Sequence, residues 1–219
     1  MERDGWRFVG PGLLVTALGL WGTTRGGTWA WPVLVLGALA SGAFILFFRD
    51  PSRTPPDDPD AVVATADGRI LAVVPHPEGG LQIDTFLSVW DVHVNRSPVA
   101  GVVAESCLRP GRFLVAYKPE AGEENERHDL TISSRIGSIR SAQIAGVLAR
   151  RVVCRARKGD HLSQGDRIGL IRFGSRAAVI VPIGFVATVR PGDRVRAGET
   201  VIARRVPDAE RGASPAART

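Results

Sequence analysis

Little in this chain can staple it or hold a metal. Cysteine occurs twice in 219 residues, as Cys107 and Cys154. Two such residues supply no framework of bridges and no metal-ligand spacing, which fits a reducing compartment. The four histidines, His76, His93, His128 and His161, are scattered without paired spacing, so a zinc site is not expected. Charge is also unevenly withheld: none occurs from Phe8 to Trp21, and none from Gly26 to Phe48.

The second uncharged stretch contains the 20-residue run Trp29–Phe48, and about 20 apolar residues span a hydrocarbon core of ~30 Å. The first stretch is shorter and rich in glycine, which suits a partner helix or a re-entrant one. A cleavable signal peptide is the rival reading. Against it, a second apolar segment follows at once and no clean small-x-small site lies between the two. Only Thr23-Thr24-Arg25-Gly26-Gly27 separates them, so residues 1–49 are expected to form a transmembrane helical hairpin. Arg3 and Arg7 precede it, Arg49 and Arg53 follow it, and the loop holds Arg25 alone. That bias places both ends in the cytoplasm. The expected location is therefore the cell membrane, with the bulk of the chain on its cytoplasmic face. The net charge is +6, and Arg150, Arg151, Arg155, Arg157 and Lys158 are crowded together. A solvated face, nucleic acid or an anionic lipid surface would each suit such a cluster. With an apolar anchor in the same chain, lipid fits best, and no nucleic-acid partner is expected.

Residues 50–60 form a Pro/Asp-rich linker that cannot be helical. From Ala61 to Val206, short apolar runs alternate with Gly and Pro breaks, among them Ala61–Ala64, Arg69–Val74, Leu87–Val89, Gly101–Ala104, Phe113–Ala116, Leu130–Ser133 and Val152–Arg155. This pattern argues for a mainly β domain, with helical periodicity only near Ala145–Arg150. One internal repeat is present. Gly159, Asp160 and Gly165 recur as Gly192, Asp193 and Gly198, 33 residues later and without a gap. Two turn-and-strand units of this kind suggest a pseudo-symmetric barrel-sandwich of hairpins, as in lipoyl-like carrier domains. No lysine stands where a carrier would attach its cofactor. Residues 207–219, rich in Ala, Arg and Pro, are expected to be a disordered tail.

Between the two copies, at the end of an expected strand Ile168–Phe173, stands Gly174-Ser175. Gly-Ser alone ordinarily marks a turn. A serine hydroxyl beside the preceding carbonyl can also attack its own backbone. An N→O acyl shift gives an ester, and β-elimination then cuts the chain and leaves dehydroalanine, which hydrolyses to a pyruvoyl group. Three other segments carry candidate chemistry: Ala66-Asp67-Gly68, an Asp-Gly turn opening a strand; Asp91-Val92-His93-Val94-Asn95-Arg96-Ser97-Pro98, one histidine in a strand-like alternation; and Glu123–Asp129, a charged loop.

Together with Phe48-Arg49-Asp50-Pro51, Gln143-Ile144-Ala145-Gly146 and Gly169-Leu170-Ile171-Arg172-Phe173-Gly174-Ser175-Arg176, these segments resemble the phosphatidylserine decarboxylase family, in its short membrane-anchored branch. The resemblance covers roughly Phe47 to Ala203. It implies self-cleavage between Gly174 and Ser175 into a β chain 1–174 and an α chain 175–219 that stay associated, with Ser175 becoming the pyruvoyl cofactor. It further implies a Schiff base to phosphatidylserine in an anionic membrane, loss of CO2 and release of phosphatidylethanolamine. By the same resemblance, Asp67 and His93 would activate Ser175, and His93 would later donate a proton. Arg96 stands where the longer bacterial branch carries a second histidine, so Asp91 or His128 can share the work. Asn95 and Arg96 are candidates for substrate binding, guanidinium being suited to phosphate. A homo-oligomer is left open. The rival reading is a membrane-tethered lipoyl-like adaptor in which Ser175 is a plain turn residue.

Overall fold

The computed structural model describes residues 1–117, 120–147, 152–171 and 175–206. The expected tail, Arg150, Arg151 and Gly174 lie outside the described residues. Two compact units divide the chain, Met1–Ser52 and Arg53–Thr219.

The first unit holds helices α1 (Trp6–Thr24) and α2 (Ala30–Phe47). Small residues set their antiparallel pairing: Gly12 lies against Ser41, Gly19 against Leu34 and Gly22 against Ala30. A side chain at Gly19 would stand 2.4 Å from the Leu34 nitrogen, so only glycine lets the backbones meet there. The hydroxyls in this seam are satisfied within their own helices, Thr16 donating to the Gly12 carbonyl and Ser41 to the Gly37 carbonyl, both at 2.8 Å. Leu14, Leu18, Trp21, Leu36 and Leu39 face outward and are exposed. Small residues inside and large apolar ones outside is the reverse of a water-soluble helix pair. α2 is the one described helix long and apolar enough to cross a membrane.

The second unit is mainly β. Its strands are β1 (Ala61–Val63), β2 (Gly68–Pro75), β3 (Leu81–Leu87), β4 (Val94–Arg96), β5 (Gly101–Arg109), β6 (Arg127–Ser134) and β7 (Gly137–Ile144). There follow β8 (Val152–Cys154), β9 (His161–Leu162), β10 (Arg167–Ile171), β11 (Ser175–Val181), β12 (Phe185–Ala187), β13 (Arg194–Val195) and β14 (Val201–Arg205). A single helical turn, α3 (Ala121–Glu124), precedes β6. The strands form a curled eight-stranded sheet, β13-β2-β3-β11-β7-β6-β5-β9, and two three-stranded sheets, β1-β14-β12 and β4-β10-β8. One core joins all three sheets, with Val62, Ile83, Ile132, Ile168, Val179 and Ile202 among its fully buried members.

The 33-residue repeat is visible in the hydrogen bonds. Gly159 N–H donates to the Val103 carbonyl and Gly192 N–H to the Ile70 carbonyl, both at 2.8 Å. Asp160 accepts from Arg157 N–H and Asp193 from Arg190 N–H, also at 2.8 Å. The acceptors Ile70 and Val103 are themselves 33 residues apart, as are Ala64 and Ser97, which accept from Gly198 and Gly165. Bulges fall at Ile70/Ala72 in β2 and Val103/Glu105 in β5, at the same offset again. Such bulges sharpen strand curvature, so the sheet curls at two equivalent places.

Phe113–Ala116 is not a strand. Asn125, buried beside it, accepts from Leu114 N–H at 2.7 Å and donates to the carbonyls of Leu114 and Ala145 at 2.8 Å. One side chain thus does the pairing that a neighbouring strand would have done. Of the helix expected near Ala145–Arg150, the described part reaches only a turn at Val147.

Candidate functional site

β10 ends at Ile171 in a small sheet, and β11 begins at Ser175 in the large one. Residues 172–174 lie outside the described residues. Ser175 sits opposite Leu87 at the end of β3. It is fully buried, and its Oγ has no hydrogen-bond partner among the described residues. Leaving a buried hydroxyl unsatisfied costs about 1–3 kcal/mol, which a purely structural turn would shed by using alanine or glycine.

Neighbours of the other two candidates pack beside the start of β11. Ile171 N–H donates to the His93 carbonyl at 3.2 Å, tying the residue before β4 to the end of β10. Ala66, Leu87, Ile171 and Ala177 form one apolar cluster. Ala66 before Asp67, Leu87 opposite Ser175, and Ile171, whose N–H bonds to His93, thus pack in one cluster. Gly68 completes the approach: a side chain there would stand 2.0 Å from the Phe86 carbonyl, so only glycine lets the Asp67 turn lie on β3.

His93 is fully buried, with Nδ1 2.8 Å from the Asp91 carbonyl. A carbonyl can only accept, so Nδ1 carries the proton and Nε2 of the neutral ring carries the lone pair. Its orienting partner there is main chain rather than a carboxylate. Asp91 is held in turn by Ser88, whose N–H and hydroxyl donate to Oδ2 at 2.8 and 2.7 Å. Asp67 accepts from Ala197 N–H at 2.8 Å and pairs with Arg53 at 2.7 Å. Burial pushes the Asp67 carboxyl above its ordinary range. The Ala197 N–H and Arg53 pull it down, and the nearby Asp91 adds a further upward push.

Asn95 and Arg96 face inward. Asn95 accepts from Gln143 Nε2 at 2.7 Å, and Thr65 Oγ1 donates to the Arg96 carbonyl at 2.6 Å. Arg96 Nη1 donates to the Gly165 carbonyl at 2.8 Å. These bonds link β4 to β7 and to the repeat turns. His128 lies elsewhere. It is paired across β6–β7 with Gln143, whose next partner is Ala177 on β11. Two strand spacings, roughly 10 Å, separate it from β11, and its Nε2 is 2.8 Å from Ser106 Oγ on β5. Burial lowers its pKa, while Asp129 partly restores it.

Asp84 was not among the sequence candidates. On the opposite face of β11 from Ser175, Arg176 forms a buried ion pair with Asp84 on β3. Gln82 Nε2 donates to both Asp84 oxygens at 3.0 and 3.1 Å. The available signal was the period-2 alternation of Leu81-Gln82-Ile83-Asp84-Thr85-Phe86-Leu87, which puts Gln82 and Asp84 on one strand face.

A family model for phosphatidylserine decarboxylase matches residues 41–203. Among curated relatives, a phosphatidylserine decarboxylase proenzyme of Beijerinckia indica is 44% identical, covering 96% of this chain and 92% of that protein. Proteins of the same name from Solibacter usitatus and Symbiobacterium thermophilum are each 45% identical, covering 81% and 93% of this chain and 86% and 95% of their own lengths.

Proposed function

The chain belongs to the phosphatidylserine decarboxylase family, and we propose that it converts phosphatidylserine to phosphatidylethanolamine and CO2 after cutting itself between Gly174 and Ser175. The observation that carries this reading is the buried Ser175 hydroxyl at the start of β11, which has no hydrogen-bond partner among the described residues. A hydroxyl without a competing hydrogen bond is available to attack the adjacent carbonyl. His93 Nε2 takes the hydroxyl proton, its ring held by the Asp91 carbonyl. Asp67, whose raised pKa suits a group that exchanges protons, supports the acid side of the site.

The residues fit the group the family name implies. A pyruvoyl derived from Ser175 would begin β11, facing Leu87, and would be kept from water by the Ala66–Leu87–Ile171–Ala177 cluster. Once formed, it supplies an electrophilic carbonyl sink for the electron pair left when CO2 departs. The general acid for the resulting carbon centre is assigned to His93. Asn95 and Arg96 remain assigned to substrate binding, and the Asn95–Gln143 and Arg96 Nη1–Gly165 bonds fix the strand that delivers His93.

The 33-residue symmetry supports a barrel-sandwich of hairpins as the domain's finer description. The α1–α2 pair, with its apolar outer faces, supports a membrane-anchoring hairpin. The arginines at its two ends support a cytoplasmic catalytic domain. Intact-mass measurement of purified wild-type and Ser175→Ala protein, with phosphatidylserine turnover on the same samples, tests the reading. Wild type should give two fragments, a carbonyl-reactive C-terminal piece and CO2 release. Ser175→Ala should give one chain and no turnover. An uncut wild-type chain with a free serine that still decarboxylates lipid would refute it.

A further inference from the structure

One edge of the β unit carries a row of arginines that the reaction does not use. Strand register runs Arg194 (β13), Arg69 (β2), Phe86 (β3), Arg176 (β11), Ile144 (β7) and Arg127 (β6), with Arg109 (β5) next. Directly paired residues share a sheet face, so five arginines line one end of the outer face. That end is where Ser175 starts β11. Three of the five are ion-paired, Arg109 and Arg127 sharing the one carboxylate of Asp129 and Arg176 meeting Asp84. Arg69 donates to the Gly192 carbonyl and has no ion pair among the described residues. Arg194, 71% exposed, is 3.9 Å from Asp91. A positive excess therefore remains along the row, with Arg69 and Arg194 carrying its β2–β13 end.

Aromatic side chains stand on the same edge. Tyr117 is 59% exposed, with its ring centroid 6.4 Å from that of Phe86. Trp90, in the turn after β3, is 72% exposed, and Val89 beside it is 40% exposed. Four residues of chain reach at most about 14 Å, so Trp90 stays close to Phe86 and to the end of β3. Exposed Trp and Tyr among arginines is the composition of a membrane interface, where amphipathic rings sit at headgroup level and basic residues meet anionic lipid.

We propose that this edge, with Val89, Trp90 and Tyr117 as its apolar tip and Arg69 and Arg194 as its basic flank, docks on an anionic bilayer, so that a serine headgroup reaches buried Ser175 without its acyl chains leaving the membrane. The inference rests on the lipid-decarboxylase reading above. The occupant is a bilayer because the substrate of that reading resides in one and because the same chain carries a helix able to cross it.

The test uses the full-length, self-processed protein in proteoliposomes containing long-chain phosphatidylserine, and in parallel a water-soluble short-chain phosphatidylserine. The triple variant Val89→Ser/Trp90→Ser/Tyr117→Ser should lose roughly tenfold or more in kcat/KM on bilayers, the scale expected for removing buried aromatic area. It should stay within about twofold of wild type on the soluble lipid. Arg69→Gln/Arg194→Gln should flatten the fall of the bilayer rate with added salt. Equal losses on both lipids would overturn the proposal by showing damage to the site itself. So would an unchanged bilayer rate, or loss of self-association in place of loss of bilayer turnover. A wild-type protein inactive on both lipids would sink the functional reading, and this inference with it.

Discussion

Replacing Asp84 by alanine should do more damage than any other single change at the outer face of the large sheet. Its side chain is 1% exposed, its ion-pair partner Arg176 8%, and two Gln82 hydrogen bonds end on it. Removing one member of a buried pair strands the other's charge, which costs about 3–5 kcal/mol. That is a large share of the roughly 5–15 kcal/mol that holds a domain together. For a unit of this size each kcal/mol moves Tm by roughly 2–4 °C, so a fall of about 10 °C is expected. Thermal unfolding of the detergent-solubilised full chain, followed by circular dichroism, reads it. All variants would be made on a Ser175→Ala background, so that every sample is uncut. The decisive control is Asp84→Ala/Arg176→Met, which removes the stranded cation as well. It should return to within about 1–2 kcal/mol of the parent, since apolar replacements of buried ion pairs are often neutral. If the double variant melts as low as the single one, the stranded-charge argument is wrong.

Two further outcomes follow from the site and its surroundings. His93→Ala should slow precursor cleavage and CO2 release together by about 10²–10⁴-fold, the usual worth of a positioned proton-transfer group. Gel analysis of the precursor and a lipid turnover assay check both, and wild-type rates in either would remove His93 from that step. His128 has its pKa lowered in the folded chain, so folding favours its neutral form. Its contribution is present above the unfolded value of about 6.5 and is lost as pH falls through the lower folded value. Tm should therefore decline on acidification from about pH 7, and His128→Gln should show a shallower decline. Identical slopes would show that other groups govern acid stability.

Much of this architecture could be read from residue order, and what could not has a physical cause. Gly-Asp turns at 33-residue spacing announced the repeat, because glycine at positive φ and a turn-capping aspartate are local requirements. The upstream half of the same symmetry, Ala64–Ile70 against Ser97–Val103, shares Gly68 and Gly101 and little else. Its equivalence lies in backbone hydrogen bonds, to which many side chains are indifferent. The apolar pattern reaches only Leu87–Val89 here and misses most of β3, because Gln82 and Asp84 look like loop residues until their partner is known. That partner, Arg176, is 92 positions away. The strand expected at Phe113–Ala116 does not form, because an apolar run cannot disclose that Asn125 will bracket it. At the site, only family likeness links Asp67, His93 and Ser175 in the sequence, and the structure packs their neighbours Ala66, Ile171 and Leu87 together. What orients His93 is a main-chain carbonyl, and residue type does not encode a carbonyl's direction.

The stretch from Ser175 to Arg205 is woven through the β unit. β11 lies between β3 and β7, β13 edges β2, and β14 is flanked by β1 and β12. Scission ahead of Ser175 would therefore liberate nothing: the severed piece would be locked in like a keystone, removable only by dismantling the arch. β10 and β11, the described strands on either side of the cut, belong to separate sheets and share no ladder. In a β unit threaded in this way, the strands after such a break would stay paired to those before it.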